Sequence, residues 1–260
     1  MGDMTTTAAN PRPAPPDNRA SVDAEDVARF ERIAAEWWDP AGKFRPLHQI
    51  GPPRLRFIRD ALTAHFQRPG DSLKPLTGLD ILDIGCGGGL ISEPVSRMGA
   101  RVTGLDPGER NIAIARAHAE PQGLAIDYRC GTAEALAAEG RTFDAVLCLE
   151  VVEHVPDPAE FIKTCASLVR PGGVLIASTI NRNMKSYALA IVAAEYVLRW
   201  LPRGTHQWER FITPDEMAKY MTAAGLSSPR FSGMIYNPMA DDWRLSADTD
   251  VNYLAAAGKG

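Results

Sequence analysis

From Leu79 onward, apolar and polar positions alternate between two periods. Leu79-Asp80-Ile81-Leu82-Asp83-Ile84 predicts a short strand ending at Gly85, and residues 90–98 a helix. The pattern repeats: strand over 101–105 and helix over 109–120, strand over 126–129 and helix over 133–138, strand over 143–149 and helix over 158–169. Pro171-Gly172-Gly173 turns the chain into a strand over 174–179. Strands alternating with helices of about ten residues predict a parallel sheet covered on both faces, with ligands beyond the carboxyl ends of its strands. Before this region, Val27, Phe30, Ile33 and Ala34 recur at helical spacing behind a cap at Ser21 or Asp23, and Trp37-Trp38-Asp39-Pro40 closes that helix. Leu55, Ile58, Leu62 and Phe66 predict a second helix over 53–66. After Thr179 the alternation breaks. Residues 183–200 read as one helix outside the repeat, Thr213-Pro214-Asp215-Glu216 as a helix start, and 230–236 and 251–257 as closing antiparallel strands.

Composition narrows the class. With 45% hydrophobic and 23% charged residues, the 260-residue chain is globular, and it is long enough to bury a core without covalent staples. Twenty-eight Lys and Arg against 32 Asp and Glu give a net charge of -4, which disfavours nucleic acid as a partner. Cys86, Cys130, Cys148 and Cys165 form no CxxC pair, and three lie in or beside apolar runs, as thiols of a reducing compartment do. The N-terminus lacks the basic start and apolar core of a signal peptide. Residues 1–19, rich in Pro, Ala and Thr, predict a disordered tail. The longest apolar stretch, 186–202, is interrupted by Glu195 and is short for a bilayer span, which needs about 20 residues. A cytoplasmic protein follows, with contact to a membrane surface left open.

The first candidate site is the turn Asp83-Ile84-Gly85-Cys86-Gly87-Gly88-Gly89. Glycines let the backbone turn sharply and let a ligand approach it, and the following helix offers unpaired N–H groups. Asp106, at the end of the next strand, is placed to accept hydrogen bonds from both hydroxyls of a ribose. The glycine spacing does not complete GxGxxG, because Leu90 holds the third position, so a dinucleotide oxidoreductase is the weakest reading. The second candidate is Glu150-Val151-Val152-Glu153-His154, directly after the fourth predicted strand. In a helical turn Glu150 faces Glu153 and His154. Such a trio suits a divalent ion, a metal-free general base at His154, or a structural role. Either of the first two would help an acceptor phenol, whose pKa is about 10, to become a nucleophile.

The turn resembles motif I of the class I S-adenosylmethionine-dependent methyltransferases. The resemblance continues through Leu105-Asp106, Phe143-Asp144-Ala145-Val146 and Leu168-Val169-Arg170-Pro171-Gly172-Gly173. It implies a Rossmann-like α/β fold with a seven-stranded, mostly parallel sheet. It also implies a cofactor held at Asp83, Gly85 and Gly87, with its ribose on Asp106 and its adenine near Ala133 and Glu134. Thr132 departs from the acidic residue that many members carry just before that position.

A closer resemblance rests on Phe30-Glu31, Trp37-Trp38-Asp39-Pro40, Phe44-Arg45-Pro46-Leu47-His48-Gln49-Ile50, Pro53-Arg54-Leu55, Thr179-Ile180-Asn181-Arg182-Asn183, Gly204-Thr205-His206, Tyr236-Asn237-Pro238 and Asp250-Val251-Asn252-Tyr253. Together with the segment from Glu150 to Pro158 these are similar to the UbiG-type ubiquinone biosynthesis O-methyltransferases over nearly all of 25–257. That family implies methylation of ring hydroxyls on polyprenyl phenols and catechols, of the 3-demethylubiquinol 3-O-methyltransferase and 2-polyprenyl-6-hydroxyphenol methylase type. It implies cofactor contacts at Arg54, Gly85, Asp106 and Leu149, catalytic roles for Glu150, Glu153 and His154, and, in eukaryotic relatives, a divalent ion (Mg or Zn) on the same three residues. It also admits other ubiquinone biosynthesis proteins as partners.

A polyprenyl substrate lives in a bilayer, which draws in the segment 182–210. Arg182, Lys185, Arg199, Arg203 and Arg210 surround an apolar stretch with Tyr187, Tyr196, Trp200 and Trp208. This composition suits a helix in the headgroup region of an anionic membrane, or a lid over the site. The expected organisation is a methyltransferase domain over 20–260, with a helical cap over 20–75 and an insertion over 182–210. Rival readings are an O-methyltransferase for a soluble phenol and a non-catalytic cofactor-binding component of a biosynthetic complex.

Overall fold

The alternation of periods builds a single sheet. A computed structural model describes residues 22–187, 208–237 and 239–260. Its strands are β1 (Asp80–Ile84), β2 (Arg101–Asp106), β3 (Asp127–Cys130), β4 (Phe143–Leu149), β5 (Val169–Ile180), β6 (Leu226–Asn237), β7 (Asp242–Ser246) and β8 (Asn252–Lys259). Their order is β3-β2-β1-β4-β5-β8-β6-β7. The first five pair in parallel, and β8 inserts antiparallel between β5 and β6. This is the Rossmann-like α/β architecture that the glycine turn implies. The described sheet has eight strands where seven are expected. The additional strand is β7, a five-residue edge strand whose Trp243 and Leu245 pack onto the core behind β6.

Alternate strand residues feed two cores, one on each face. Ile81, Val102, Leu147 and Ile176 meet Ile58 and Leu62 of α2 (Arg45–His65) and Val95 of α3 (Ser92–Arg97). Leu82, Leu105, Val146 and Leu175 meet Leu136 of α5 (Ala133–Ala138), Phe161 and Ile162 of α6 (Pro158–Leu168), and Met217 and Met221 of α8 (Pro214–Ala223). At the β3 edge of the sheet α4 (Glu109–Ala119) packs Ile112 and Ala115 against Tyr128.

Three boundaries differ from the sequence pattern with an evident local cause. The first helix, α1 (Ala24–Arg32), is capped by Asp23 and stops short of Trp37, giving way to a 3-10 turn at Ala34–Glu36. The second helix starts at Arg45 and runs through Pro52 and Pro53. Those prolines remove two N–H donors, and the burial of Ile50, Pro53, Arg54 and Ile58 keeps the helix continuous across the gap. The last parallel strand begins at Val169, because Pro171-Gly172-Gly173 forms an irregularity within the strand, where the pairing with β4 shifts register. The helix expected over 183–200 starts as α7 (Met184–Ser186) under a capping box from Asn183. Its remainder, the 1–19 tail, Gly204-Thr205-His206 and Pro238 lie outside the described residues.

Candidate active site

Four strand ends supply the site. Beyond β1 the chain turns through Gly85–Gly89, with the N–H groups of Gly85 and Cys86 bonded to Leu105 O. Gly87 has φ +52, and a Cβ there would lie 2.4 Å from the Trp37 ring. Gly87 is therefore required twice, by its backbone conformation and by a neighbour from the N-terminal cap. The buried Asp106 ends β2. Its Oδ1 accepts from Gly108 N (2.8 Å) and Asn111 Nδ2 (3.0 Å), and its Oδ2 from Gly87 N (3.0 Å). Both lone pairs of Oδ1 thus serve the protein, and Oδ2 keeps one for a ligand hydroxyl. Burial raises the Asp106 carboxyl above its ordinary range despite these donors. Asp83, on β1, donates nothing when ionised and accepts from Ser92 Oγ at 2.6 Å; burial and the nearby Asp106 push it up to about 7.

Beyond β4, Glu150 adopts φ +55, a conformation rare outside glycine and asparagine. Its N–H bonds to Ser178 O (3.0 Å), its Oε1 accepts from Ser178 Oγ (2.7 Å), and the buried Arg54 guanidinium forms an ion pair with the same oxygen, with Nη2 at 2.7 Å. Arg54 Nε is buried with no hydrogen-bond partner among the described residues. The 3-10 turn at Val152–His154 then carries Glu153 inward, where Oε2 accepts from Thr179 Oγ1 (3.0 Å) and Oε1 has no partner among the described residues. Burial, reinforced by Glu150, raises the Glu153 carboxyl. His154 Nδ1 stands 3.0 Å from Asp26 Oδ2 on α1. Burial opposes the imidazolium, but the Asp26 hydrogen bond and the charges of Glu153 and Asp26 outweigh it, so the His154 pKa is raised.

Arg54, Asp83, Gly85, Gly87, Asp106, Ala133, Leu149, Glu150, Glu153 and His154 all line one cavity of about 730 Å³, within the usual range for small-molecule sites of roughly 300–1,000 Å³. Of the predicted residues, Glu134 alone does not line it. Thr132 lines the wall and uses its hydroxyl to cap α5 through Ala135 N. The sequence pattern gave no hint of Asp26, Trp37, Asn111, Ser178 or Thr179 as site residues. Asp26 and Asn111 sit in ordinary helix-face positions, and His154 and Trp37, which they meet, are far away in the chain.

Of the three roles open to the acidic cluster, a divalent ion, a metal-free general base or a structural one, this arrangement does not offer the ligand set of the first. Among the described residues no group of three or more His, Cys, Asp or Glu side chains is gathered closely enough to hold a metal. The Arg54 guanidinium lies on Glu150, and His154 turns its Nδ1 to Asp26.

Residues 82–177 match the methyltransferase domain family. Across the whole chain the likeness is closer. The ubiquinone biosynthesis O-methyltransferase of Parvibaculum lavamentivorans is 56% identical over 92% of this chain and 94% of its own length. That of Azorhizobium caulinodans is 56% identical over 90% of this chain and 93% of its own. The chain belongs to the ubiquinone biosynthesis O-methyltransferase family. Among solved structures, the magnesium protoporphyrin IX methyltransferase of Synechocystis, crystallised with bound SAH, superposes with a TM-score of 0.60 over 91% of this chain and 95% of its own at 21% identity. A methyltransferase of Thermotoga maritima gives 0.58 over 90% and 100% at 18% identity. These two establish the class I fold. S-adenosylmethionine is the family's cofactor, and the residues present fit it: the glycine turn, the remaining lone pair of Asp106 Oδ2 and the Nε of Arg54 offer a backbone cradle, a ribose-hydroxyl acceptor and a carboxylate donor within one cavity.

Proposed function

We propose that this chain is the S-adenosylmethionine-dependent O-methyltransferase that methylates ring hydroxyls of polyprenyl phenols and catechols in ubiquinone biosynthesis. The observation that carries the reading is the continuity of one cavity. Its lining brings together the glycine turn and Asp106, Glu150 and His154, and the apolar side chains of Leu47, Ile50, Met234, Ile235 and Trp243. The polar part matches a nucleoside and a phenol, and the apolar part matches a prenyl chain.

Bound S-adenosylmethionine supplies an electrophilic methyl group on a sulfonium. The chain's own residues do the rest. Asp106 accepts a ribose hydroxyl, and Arg54 holds the carboxylate of the methionine part. Gly85, Gly87, Asp83, Ala133 and Leu149 shape the wall around the cofactor. Asp26 fixes the imidazole of His154 through Nδ1, leaving Nε2 to take the proton of the acceptor hydroxyl, the step that makes a phenol nucleophilic. Glu150, tied to Arg54 and Ser178, keeps the guanidinium in place.

An assay of methyl transfer to a short-chain prenyl catechol, with and without chelator, tests this reading. Turnover that survives chelation is expected. Its loss on chelation and return with Mg2+ would instead place a metal at Glu150, Glu153 and His154. Absence of turnover on prenyl catechols, with turnover on a soluble phenol, would favour the narrower substrate reading.

Peripheral contact with a membrane belongs to the same proposal, through 182–210. The two described ends of this segment meet beside the cavity: Tyr187 packs edge-on against Trp208, whose Nε1 donates to Asn183 O. Met184 and Tyr187 are exposed there. The described cations are already engaged, Arg182 with Glu216, Lys185 with Asp248 and Asp250, and Arg210 with Asp23. Apolar insertion rather than headgroup attraction is then the main contribution of these ends. No described helix is long and apolar enough to cross a membrane. Flotation with neutral and anionic liposomes is expected to give similar binding.

A further inference from the structure

The part of the N-terminal cap before α2, residues 24–44, contributes little to the two cores. Helix α1 has no buried residue, and Ala34, Trp37 and Phe44 form a small cluster of their own. Segments with few buried contacts are the ones that open first. Yet this cap reaches the centre of the cofactor site through Trp37. Its ring covers Gly87 and Gly88, where added Cβ atoms would lie 2.4 and 2.5 Å from it. Its Nε1 donates to Asn111 Oδ1 at 2.9 Å, and Asn111 Nδ2 donates to Asp106 Oδ1 at 3.0 Å. Both Trp37 and Asn111 are buried. The amide of Asn111 is used at both ends, so its orientation is fixed, and each bond polarises the next. A second strut, Trp38 Nε1 to Gly88 O at 2.9 Å, holds the same turn from the same cap.

We infer that Trp37 and Asn111 are positioning residues that aim the Asp106 carboxylate and join cofactor binding to docking of the N-terminal cap. The inference rests on the reading of this cavity as the S-adenosylmethionine site. A ribose on Asp106 favours the carboxylate orientation that Asn111 supports. That orientation presents Asn111 Oδ1 to the indole, and the docked indole closes over the glycine turn. With the cap undocked, Asn111 Oδ1 loses its donor and the turn loses its cover, so the cofactor is held less tightly. Asp26 sits on the same cap, so docking also brings the imidazole's partner to His154.

The test uses the full chain with S-adenosylhomocysteine as the probe. Trp37→Phe keeps a smaller aromatic ring at Gly88 and removes the N–H together with the outer indole ring over Gly87; Asn111→Ala removes the relay. Calorimetry is expected to give affinity about five- to tenfold weaker for Trp37→Phe, the loss usual for one buried hydrogen bond, and at least as weak for Asn111→Ala, which removes two. The double variant should be no weaker than the weaker single, because both break one chain. Hydrogen exchange over residues 24–44 should slow when the wild type binds the probe, and slow much less in Trp37→Phe. A purely structural role would lower the melting temperature of the free protein while leaving the increase on probe binding intact, and that result would overturn the relay. So would wild-type affinity in Trp37→Phe, or additive losses in the double variant. If Asn111→Ala does not fold, Trp37→Phe alone decides. Failure of the wild type to bind the probe at all would instead overturn the cofactor reading beneath it.

Discussion

At the residue scale the chemistry rests on His154 and its partner. His154→Ala is expected to lower kcat by about 10²- to 10⁴-fold, the usual contribution of a general base, with cofactor affinity nearly unchanged by calorimetry. Asp26→Asn removes the carboxylate whose hydrogen bond and charge raise the His154 pKa. The base acts when deprotonated, so a raised pKa displaces the acidic limb of the rate profile upward, and Asp26→Asn should shift that limb to lower pH while lowering the plateau. An unshifted limb would remove Asp26 from the mechanism. Gly87→Ala places a methyl group against Trp37 at a left-handed backbone position, and loss of measurable cofactor binding is expected. The cluster from Glu150 to His154 and the pair formed by the glycine turn and Asp106 were legible in the sequence because each is local or fixed by a strand end. Asp26 was not. Its bond to His154 spans 128 residues, and that from Trp37 to Asn111 spans 74; no periodicity encodes such pairings. The glycines had a further reason that spacing could not show, since Trp37 occupies the room beside Gly87 and Gly88 that a ligand alone was expected to need.

At the element scale, helices with explicit end signals were read well. Thr213-Pro214-Asp215-Glu216 forms a complete capping box, with Thr213 Oγ1 accepting from Glu216 N and Glu216 Oε2 accepting from Thr213 N. Thr213→Ala should cost about 1 kcal/mol of stability in a denaturant titration, with kcat retained. The start of α2 was missed, because Pro52-Pro53 carries a breaker signal that burial overrides. Strand β7 was missed because five residues carry too little pattern on their own; pairing with β6 defines it.

At the scale of the whole molecule, buried carboxyls couple stability to pH. Asp83 holds its proton up to about 7 in the folded state, well above the model-peptide value. Between about pH 4 and 7 the native protein binds a proton that the unfolded chain has released, so stability falls as pH rises through that window. Melting temperatures should therefore decline from about pH 5 to about pH 7, by several degrees, and decline less in Asp83→Asn. Asp106 and Glu153, raised by burial in the same sense, leave a residual slope in that variant.

The sequence by itself determined the parallel sheet, the cofactor turn, Asp106 and the acidic turn after β4, because strand and helix periods and glycine positions are properties of adjacent residues. Tertiary structure alone decided which groups complete them. It placed Arg54 on Glu150, Asp26 on His154, and Trp37 and Asn111 on the cofactor turn and Asp106. Those contacts join segments that meet only once two cores have packed on opposite faces of one sheet, so their partners are fixed by the geometry of that packing and not by distance along the chain.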